Sequence, residues 1–245
     1  MSTSPTSAPH PVPPSAAPDA AHRVSIILPA YNEAATIAAV VQGCRAALPQ
    51  AVEILVVDDG SRDDTAARAE AAGARVLRLQ PNRGKGEALR IAIDQSAGAV
   101  LVFLDADGQD DPAEIPLLLA ALERGADLVI GSRFLGHFDP GAITALNRAG
   151  THFINGVVNL LFGAHITDTQ AGFRAVRRSL LQRLALRAQR YDIETELLLQ
   201  AIRAGGRVVE VPVRRSPRQH GVSGLHPLFD GLRILRRILR VRFQA

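Results

Sequence analysis

Four aspartates, Asp105, Asp107, Asp110 and Asp111, crowd into one short stretch with Gln109 among them. They follow an apolar run at residues 100–104 (V-L-V-F-L), short enough for a buried strand. A buried strand that opens into carboxylates at its C-terminal end marks where an open α/β sheet seats a ligand. Asp105 and Asp107 are two apart, and Gly108 permits a sharp backbone turn just after them. Two or three oxygens can then converge on one hard cation. Divalent ions at nucleotide-phosphate sites are held in this way, by one or two carboxylates together with substrate phosphates. A lone D-x-D also fits a solvated acidic turn, so the surrounding elements must decide.

Those elements alternate. Residues 24–28 read as a first strand, stopped by Pro29, and residues 33–48 as a helix with Asn32 as its cap. Residues 52–57 form a second strand that runs into Asp58-Asp59-Gly60-Ser61. A helix capped by Asp63 or Asp64 then runs to about Ala72, and Gly73 suits the left-handed position after it. A third strand (75–79), a loop (81–86), a helix (87–96), the 100–104 strand, a helix opened by Pro112 and a strand at 127–130 follow. Strands separated by helices imply an α/β fold with a mostly parallel sheet, flanked by helices in a single domain. One edge of that sheet gathers Tyr31-Asn32-Glu33, Asp58-Asp59, Asn82-Arg83-Gly84-Lys85, Asp105-Ala106-Asp107 and Ser132-Arg133. Acids for ribose, base edges or a metal, beside cations for phosphate, suit a nucleoside diphosphate.

Beyond residue 133 the rhythm changes. Helices are predicted at 144–162, 191–204 and 228–243, a strand at 207–213, and a basic loop at 214–224. The last helix carries Leu228, Leu232, Leu235 and Leu239 on one stripe, with Arg233, Arg236, Arg237, Arg240 and Arg242 largely off it. This reads as an interfacial helix on anionic lipid or as a core-packing helix with a basic outer face. From Arg203 onward there are ten arginines against Glu210 and Asp230. Residues 1–22, rich in Pro, Ser and Ala, read as a disordered tail. The expected organisation is 1–22 tail, 23–224 α/β domain and 225–245 amphipathic helix.

Composition narrows the classes. With 4% aromatics and no Trp, the chain lacks a stacking surface for single-stranded nucleic acid, and no helix-turn-helix or zinc pattern appears. No nucleic-acid partner is expected. The single Cys44 excludes an intramolecular disulfide framework and fits a reducing compartment. No apolar run approaches the ~20 residues of a membrane span. A cytoplasmic chain, peripheral to the membrane, is expected. The first turn reads P-A-Y-N-E, without the glycines of a dinucleotide-binding fingerprint, and no P-loop is present.

The motifs I-L-P-A-Y-N-E (27–33), V-V-D-D-G-S-R-D-D-T (56–65), N-R-G-K-G-E-A (82–88), L-D-A-D-G-Q-D-D-P (104–112), G-S-R (131–133), D-T-Q-A-G-F-R (168–174) and V-P-V (211–213) occur in this order. In them the chain resembles family 2 glycosyltransferases of the GT-A fold, and within these the dolichyl-phosphate mannosyltransferase and polyprenyl-phosphate glycosyltransferase branch. The resemblance covers about residues 23–224. It implies an inverting transfer of mannose or glucose from GDP-mannose or UDP-glucose to a polyprenyl phosphate. It also implies a nucleotide-sugar site at Pro29, Tyr31, Glu33, Asp58, Asp59, Lys85, Asp105, Ala106 and Asp107. Mg²⁺ or Mn²⁺ would be held by Asp105, Asp107 and Gln109. Asp105, Asp107 and Arg133 would be catalytic, and Arg133 with Arg148 would meet the acceptor phosphate. The branch ends its basic loop in G-x-S-K, whereas here Gly224 stands where Lys is expected. Arg218 and His220 are the candidates to replace that cation. A phosphate acceptor, already ionised, needs positioning by arginines more than deprotonation. An alcohol acceptor would need a general base, for which Asp168 and Glu196 are the candidates. A soluble enzyme acting on a small phosphorylated or hydroxylated acceptor, such as a glycerate derivative, is the alternative.

Overall fold

The structure, a computed structural model, describes residues 24–49, 52–221 and 226–243. The expected tail at 1–22 and Gly224 lie outside these residues. The chain forms β1 (Val24–Ala30), α1 (Ile37–Ala47), β2 (Val52–Asp58), α2 (Thr65–Ala71), β3 (Arg75–Arg78), α3 (Lys85–Gln95) and β4 (Val100–Phe103). A 3₁₀ turn (Pro112–Glu114) leads into α4 (Ile115–Glu123), β5 (Leu128–Phe138), α5 (Ala145–Phe162), β6 (Arg174–Arg177) and α6 (Arg178–Leu181). Next come α7 (Ile193–Arg203), β7 (Val208–Arg215) and α8 (Pro227–Phe243).

The seven strands form one sheet in the order β3-β2-β1-β4-β6-β5-β7. The β1, β2, β3 and β4 pairings are parallel, while β6 runs antiparallel to both β4 and β5. The inner strands are apolar on both faces because helices cover both. Each fully buried Ile or Leu there contributes about 1.5–3 kcal/mol. Edge strands are marked differently. Arg75 and Arg78 are exposed on β3, and Pro212, which cannot donate to a ladder, sits on edge strand β7. The chain reverses direction across the sheet between β1 and β4, so a crevice opens at their C-terminal ends.

Four expectations are corrected. Pro29 does not stop β1, which continues to Ala30 in register with Asp58. Helix α1 starts at Ile37 rather than residue 33. Asn32 instead takes a left-handed conformation (φ 56°) and is pinned to the next loop: its amide donates to Ser61 Oγ, and its Oδ1 accepts from the Arg62 amide. Helix α3 begins at Lys85 itself. Strand β5 does not close at residues 131–133 but resumes pairing with β7 after an irregularity between Ser132 and His137. Gly136 makes this possible, because a Cβ there would stand 2.0 Å from the Val213 carbonyl oxygen.

Helix α8 is amphipathic in an unforeseen register. Ile234, Ile238 and Val241 are buried against Ile154 and Val158 of α5 and Leu199 of α7. Leu232 and Leu239 of the leucine stripe face outward.

Candidate active site

The rim at the C-terminal ends of β1, β2 and β4 collects the predicted acids. Asp58, the last residue of β2, and Asp59, just past it, are both buried. Asp58 accepts from the Ser61 amide at 2.9 Å. Asp59 accepts from the Arg83 and Gly84 amides at 2.7 and 2.8 Å, and so fastens the start of α3 to the end of β2. Burial still pushes its carboxyl up, since those amides and Arg83 offset only part of the desolvation. Pro29 is half-buried, while Tyr31 is exposed beside the rim.

Lys85 reaches from α3 across the crevice. Its Nζ lies 2.6 Å from Asp105 Oδ1 and 2.6 Å from Glu194 Oε1 on α7. Burial alone would raise the Asp105 carboxyl. Lys85, with Arg215 and Arg133 at longer range, holds it below the usual carboxylate range. Gly172 lets the loop before β6 pass over this pair, because a Cβ there would stand 2.9 Å from Asp105 Oδ2. The Ala106 carbonyl accepts from Thr36 Oγ1 at 2.7 Å, which ties the acidic turn to the start of α1.

Asp107 is in the opposite electrostatic state. Burial raises its carboxyl, Arg215 opposes this only in part, and Asp105 and Asp110 push it further up. Its Oδ2 lies 3.1 Å from Arg218 Nη1 and 3.7 Å from Arg215 Nη2. Arg218 also bonds Glu33, and Arg215 Nη1 lies 2.6 Å from Asp110 Oδ2. Gln109 donates to the Ser216 carbonyl at 2.9 Å and accepts from Arg215 at 2.9 Å. His220 is exposed, and its carbonyl accepts from Arg218 Nε at 2.8 Å.

The residues expected to hold a divalent ion, Asp105, Asp107 and Gln109, would offer two carboxylates and an amide oxygen. Hard oxygen donors of this kind fit Mg²⁺ or Mn²⁺. Among the described residues no group of three or more His, Cys, Asp or Glu is arranged around a single metal position. The remaining ligands would have to come from diphosphate oxygens and water, and Arg215 now covers the Gln109 oxygen.

On the other side of the crevice, Arg133 forms a fork with Asp168, with Nε to Oδ2 and Nη2 to Oδ1 both at 2.7 Å. The Asp168 side chain is fully buried and its backbone amide is held by Glu210. Arg148, in the first turn of α5, lies against the Phe138 ring at 5.2 Å, and Arg133 lies 5.9 Å from the centre of the same ring. Two cations thus flank one aromatic side chain at the rim.

Sequence reasoning left several partners unassigned. Arg215, inside the predicted basic loop at 214–224, is the last residue of β7. Asp168 and Glu196 were candidate bases, but Asp168 is committed to Arg133. Glu196 is buried, accepting from Arg237 on one oxygen and from the Arg187 and Ala188 amides on the other. Among the described residues, buried Arg174 has no carboxylate in hydrogen-bond contact. It donates to the carbonyls of Ala171, Glu194 and Thr169, and burial lowers its guanidinium to about 10. Its place at the end of D-T-Q-A-G-F-R was the signal that could have marked it.

The family model described as Glycosyl transferase family 2 matches residues 25–185. The chain is 37% identical over 218 residues to a polyprenol monophosphomannose synthase of Mycolicibacterium smegmatis, covering 82% of this chain and 80% of that one. It is 38% identical over 216 residues to glycosyltransferase AglJ of Haloferax volcanii, covering 87% and 69%. Among solved structures, glucosyl-3-phosphoglycerate synthase of Mycobacterium tuberculosis, in complex with Mn²⁺, uridine diphosphate and phosphoglyceric acid, superposes with a TM-score of 0.73. That match has 27% identity and covers 91% of this chain and 80% of that one.

Proposed function

Since the chain belongs to glycosyltransferase family 2, and is therefore a glycosyltransferase, here built on the GT-A fold, we propose that it moves a hexose, mannose or glucose, from a nucleoside-diphosphate sugar to a polyprenyl phosphate, with inversion at the anomeric carbon. The observation that carries this reading is the pair of guanidiniums at Phe138, of which Arg133 is near enough to help hold the Asp105 carboxyl down. Arg133 is fixed by its fork to Asp168, and Arg148 is held on an aromatic face. Together they suit an acceptor that arrives as a dianion and needs orientation. The polyprenyl-phosphate relative at 37% identity supports the same acceptor class.

In this reading Pro29, Tyr31 and Glu33 line the nucleoside pocket. Asp58 and Asp59 shape its floor, and Lys85 keeps Asp105 ionised beneath the donor. A phosphate oxygen of the acceptor attacks C1 of the hexose. The C1–O bond to the nucleoside diphosphate breaks, and its electron pair leaves with the diphosphate. No proton has to be removed, so no general base is required, and Asp168 stays paired with Arg133. A divalent ion, Mg²⁺ or Mn²⁺, would be held by Asp107 with Asp105 and Gln109, and when bound it neutralises charge on the diphosphate. The acceptor places the reaction at the cytoplasmic membrane surface, with peripheral contact through α8.

A small phosphorylated acceptor is the second reading, favoured by the likeness to glucosyl-3-phosphoglycerate synthase. One assay separates the two. Purified protein is given GDP-mannose or UDP-glucose, Mg²⁺ or Mn²⁺, and either polyprenyl phosphate or 3-phosphoglycerate, with Asp107→Ala as control. Turnover on the prenyl phosphate, giving a β-linked product and abolished in the control, is the expected result. Turnover on 3-phosphoglycerate alone overturns the prenyl assignment.

A further inference from the structure

Strand β6 lies between the two strands that lead to the site's ion pairs. Its first residue, Arg174, stands in register with Phe103 of β4 and with Ile130 of β5. Asp105 follows Phe103 by two residues, and Arg133 follows Ile130 by three. The backbone of Arg174 is thus held between the strands that present Asp105 and Arg133.

The Arg174 side chain reaches the partners of those pairs. Its Nη2 and Nε donate to the Thr169 and Ala171 carbonyls at 2.8 and 2.7 Å, in the loop that follows Asp168, the partner of Arg133. Its Nη1 donates at 2.6 Å to the carbonyl of Glu194, whose carboxylate pairs with Lys85. The planar fork fixes the directions of these donors, so three carbonyls from two chain segments are held in one mutual arrangement. A guanidinium this deeply buried, with only carbonyls in hydrogen-bond contact among the described residues, is a cost to stability. Proteins accept such costs at functional sites.

We propose that Arg174 is a positioning residue of the transfer: its one guanidinium sets the separation, across the crevice, between the Arg133–Asp168 pair and the Lys85–Asp105–Glu194 cluster. The donor lies over the cluster, and the attacking group is met by the pair. Donor affinity therefore depends on one side alone, whereas bringing the attacking oxygen to C1 depends on both. The inference rests on the reading of this crevice as the transfer site, and not on which phosphate acceptor enters it.

Two other residues make the proposal testable. Arg178, at the opposite end of β4 from Asp105, donates to the Gly98, Ile93 and Ser96 carbonyls at 2.6, 3.0 and 2.8 Å. This is the same kind of shell, built away from the crevice. Gln170 makes a lighter link between the loop and α7, its Nε2 donating to Thr169 Oγ1 and Thr195 Oγ1, both at 2.9 Å. Thr195→Val breaks that link without removing a charge.

Single-turnover rates on the acceptor that wild type uses, donor affinity by calorimetry with Mn²⁺, and thermal melts are compared for Arg174→Lys, Arg178→Lys and Thr195→Val. Both lysine variants are expected to melt lower than wild type. Arg174→Lys is expected to keep the donor Kd of wild type while its rate falls about a hundredfold. Arg178→Lys is expected to keep both rate and donor Kd. Thr195→Val is expected to show the Arg174→Lys split on a smaller scale, and decides the matter if Arg174→Lys does not fold. Crystals of Arg174→Lys are expected to retain both ion pairs, with the distance from Asp105 to Asp168 changed by about 1 Å. Turnover at the wild-type rate in Arg174→Lys, an equal loss of rate in Arg178→Lys, or a loss of donor affinity matching the loss of rate overturns the proposal. So does an unchanged distance from Asp105 to Asp168. Wild type inactive on every phosphate acceptor defeats the acceptor reading, while the crystal comparison, made on Thr195→Val where Arg174→Lys does not fold, still decides the role of Arg174.

Discussion

Lys85 Nζ lies equally close, at 2.6 Å, to Asp105 of the acidic turn and to Glu194 at the start of α7. One ammonium thereby joins the two sides of the crevice. Its removal leaves two carboxylates facing each other in a largely enclosed site, which costs about 3–5 kcal/mol for a broken buried pair. Lys85→Met is therefore expected to lower Tm, and kcat/KM by at least about a hundredfold. Because Lys85 holds the Asp105 carboxyl down, its loss raises that group, and the acidic limb of the kcat/KM profile moves to higher pH. Glu194→Gln keeps the ammonium beside Asp105 and should move the limb far less. Profiles of the two variants against wild type check this.

Arg133 and Asp168 act as a unit. The fork places two donors on two carboxylate oxygens, which a lysine cannot reproduce. Arg133→Lys is expected to keep the fold and to lose about a hundredfold in kcat. Asp168→Asn leaves the guanidinium without its counter-charge, and should cost about 3 kcal/mol in stability as well as activity. If Asp168 were instead a base for an alcohol acceptor, Arg133→Lys would spare kcat and Asp168→Asn would abolish it, so steady-state kinetics on both variants separates the roles.

The strands, the crevice and the acids on its rim were legible from sequence because apolar runs and the Gly-marked turns are local signals. Gly108 takes φ 72° and Gly73 φ 88°, as turns at those positions require. What was not legible depends on chain segments far apart. The guanidiniums at Asp107 come from residues 215 and 218, more than a hundred positions away. The partner of Arg133 lies 35 residues on. The start of α1 was misplaced because Asn32 and Glu33 are held by Ser61, Arg62 and Thr65 of another loop, an arrangement no helix-capping rule anticipates. The buried face of α8 was missed because Ile234, Ile238 and Val241 turn inward while Leu232 and Leu239 turn outward, and either set satisfies the helical period.

Gly86 illustrates a residue fixed by close approach. A Cβ there would stand 2.5 Å from the Ala188 carbonyl oxygen and 2.7 Å from the Gln189 carbonyl carbon. Both are backbone atoms, and the Gly86 amide donates to the Gln189 carbonyl at 2.9 Å. Gly86→Ala is expected to destabilise by about 1–3 kcal/mol and to displace Lys85 next to it. Gly150, inside α5 with nothing within 4 Å, provides the contrast. Gly150→Ala is expected to stabilise by about 0.4–1 kcal/mol through helix propensity and the unfolded chain. Chemical denaturation of the two variants should move the midpoint in opposite directions.

Cys44 is fully buried in α1, and burial pushes its thiol up to about 12. In the unfolded chain the thiol ionises at about 8.5. Below that value both states keep the proton and the group contributes its full stability. As pH rises from about 8.5 toward 12 only the unfolded chain releases the proton, so stability falls by up to about 1.4 kcal/mol per pH unit. Iodoacetamide at mildly alkaline pH should label Cys44 only at the rate of unfolding, and Cys44→Ala should flatten the loss of stability in that window.

Arg237 ties α8 to the body of the enzyme. It lies 2.8 Å from both Asp192 and Glu196, all three being largely buried, and Glu196 in turn holds the amides of Arg187 and Ala188. The carbonyls of Ala188 and Gln189 are the ones that crowd Gly86, so a path of direct contacts runs from α8 to Lys85. Arg237→Met leaves two buried carboxylates unpaired and is expected to cost about 3–5 kcal/mol. Asp192→Asn with Glu196→Gln and Arg237→Met, which removes charge from all three positions, should recover much of that loss, because the penalty comes from unpaired charge rather than from the absent contact. If α8 merely rested on the surface, Arg237→Met would shift Tm no more than Arg240→Met on its outward side, and thermal melts of the two decide between these cases.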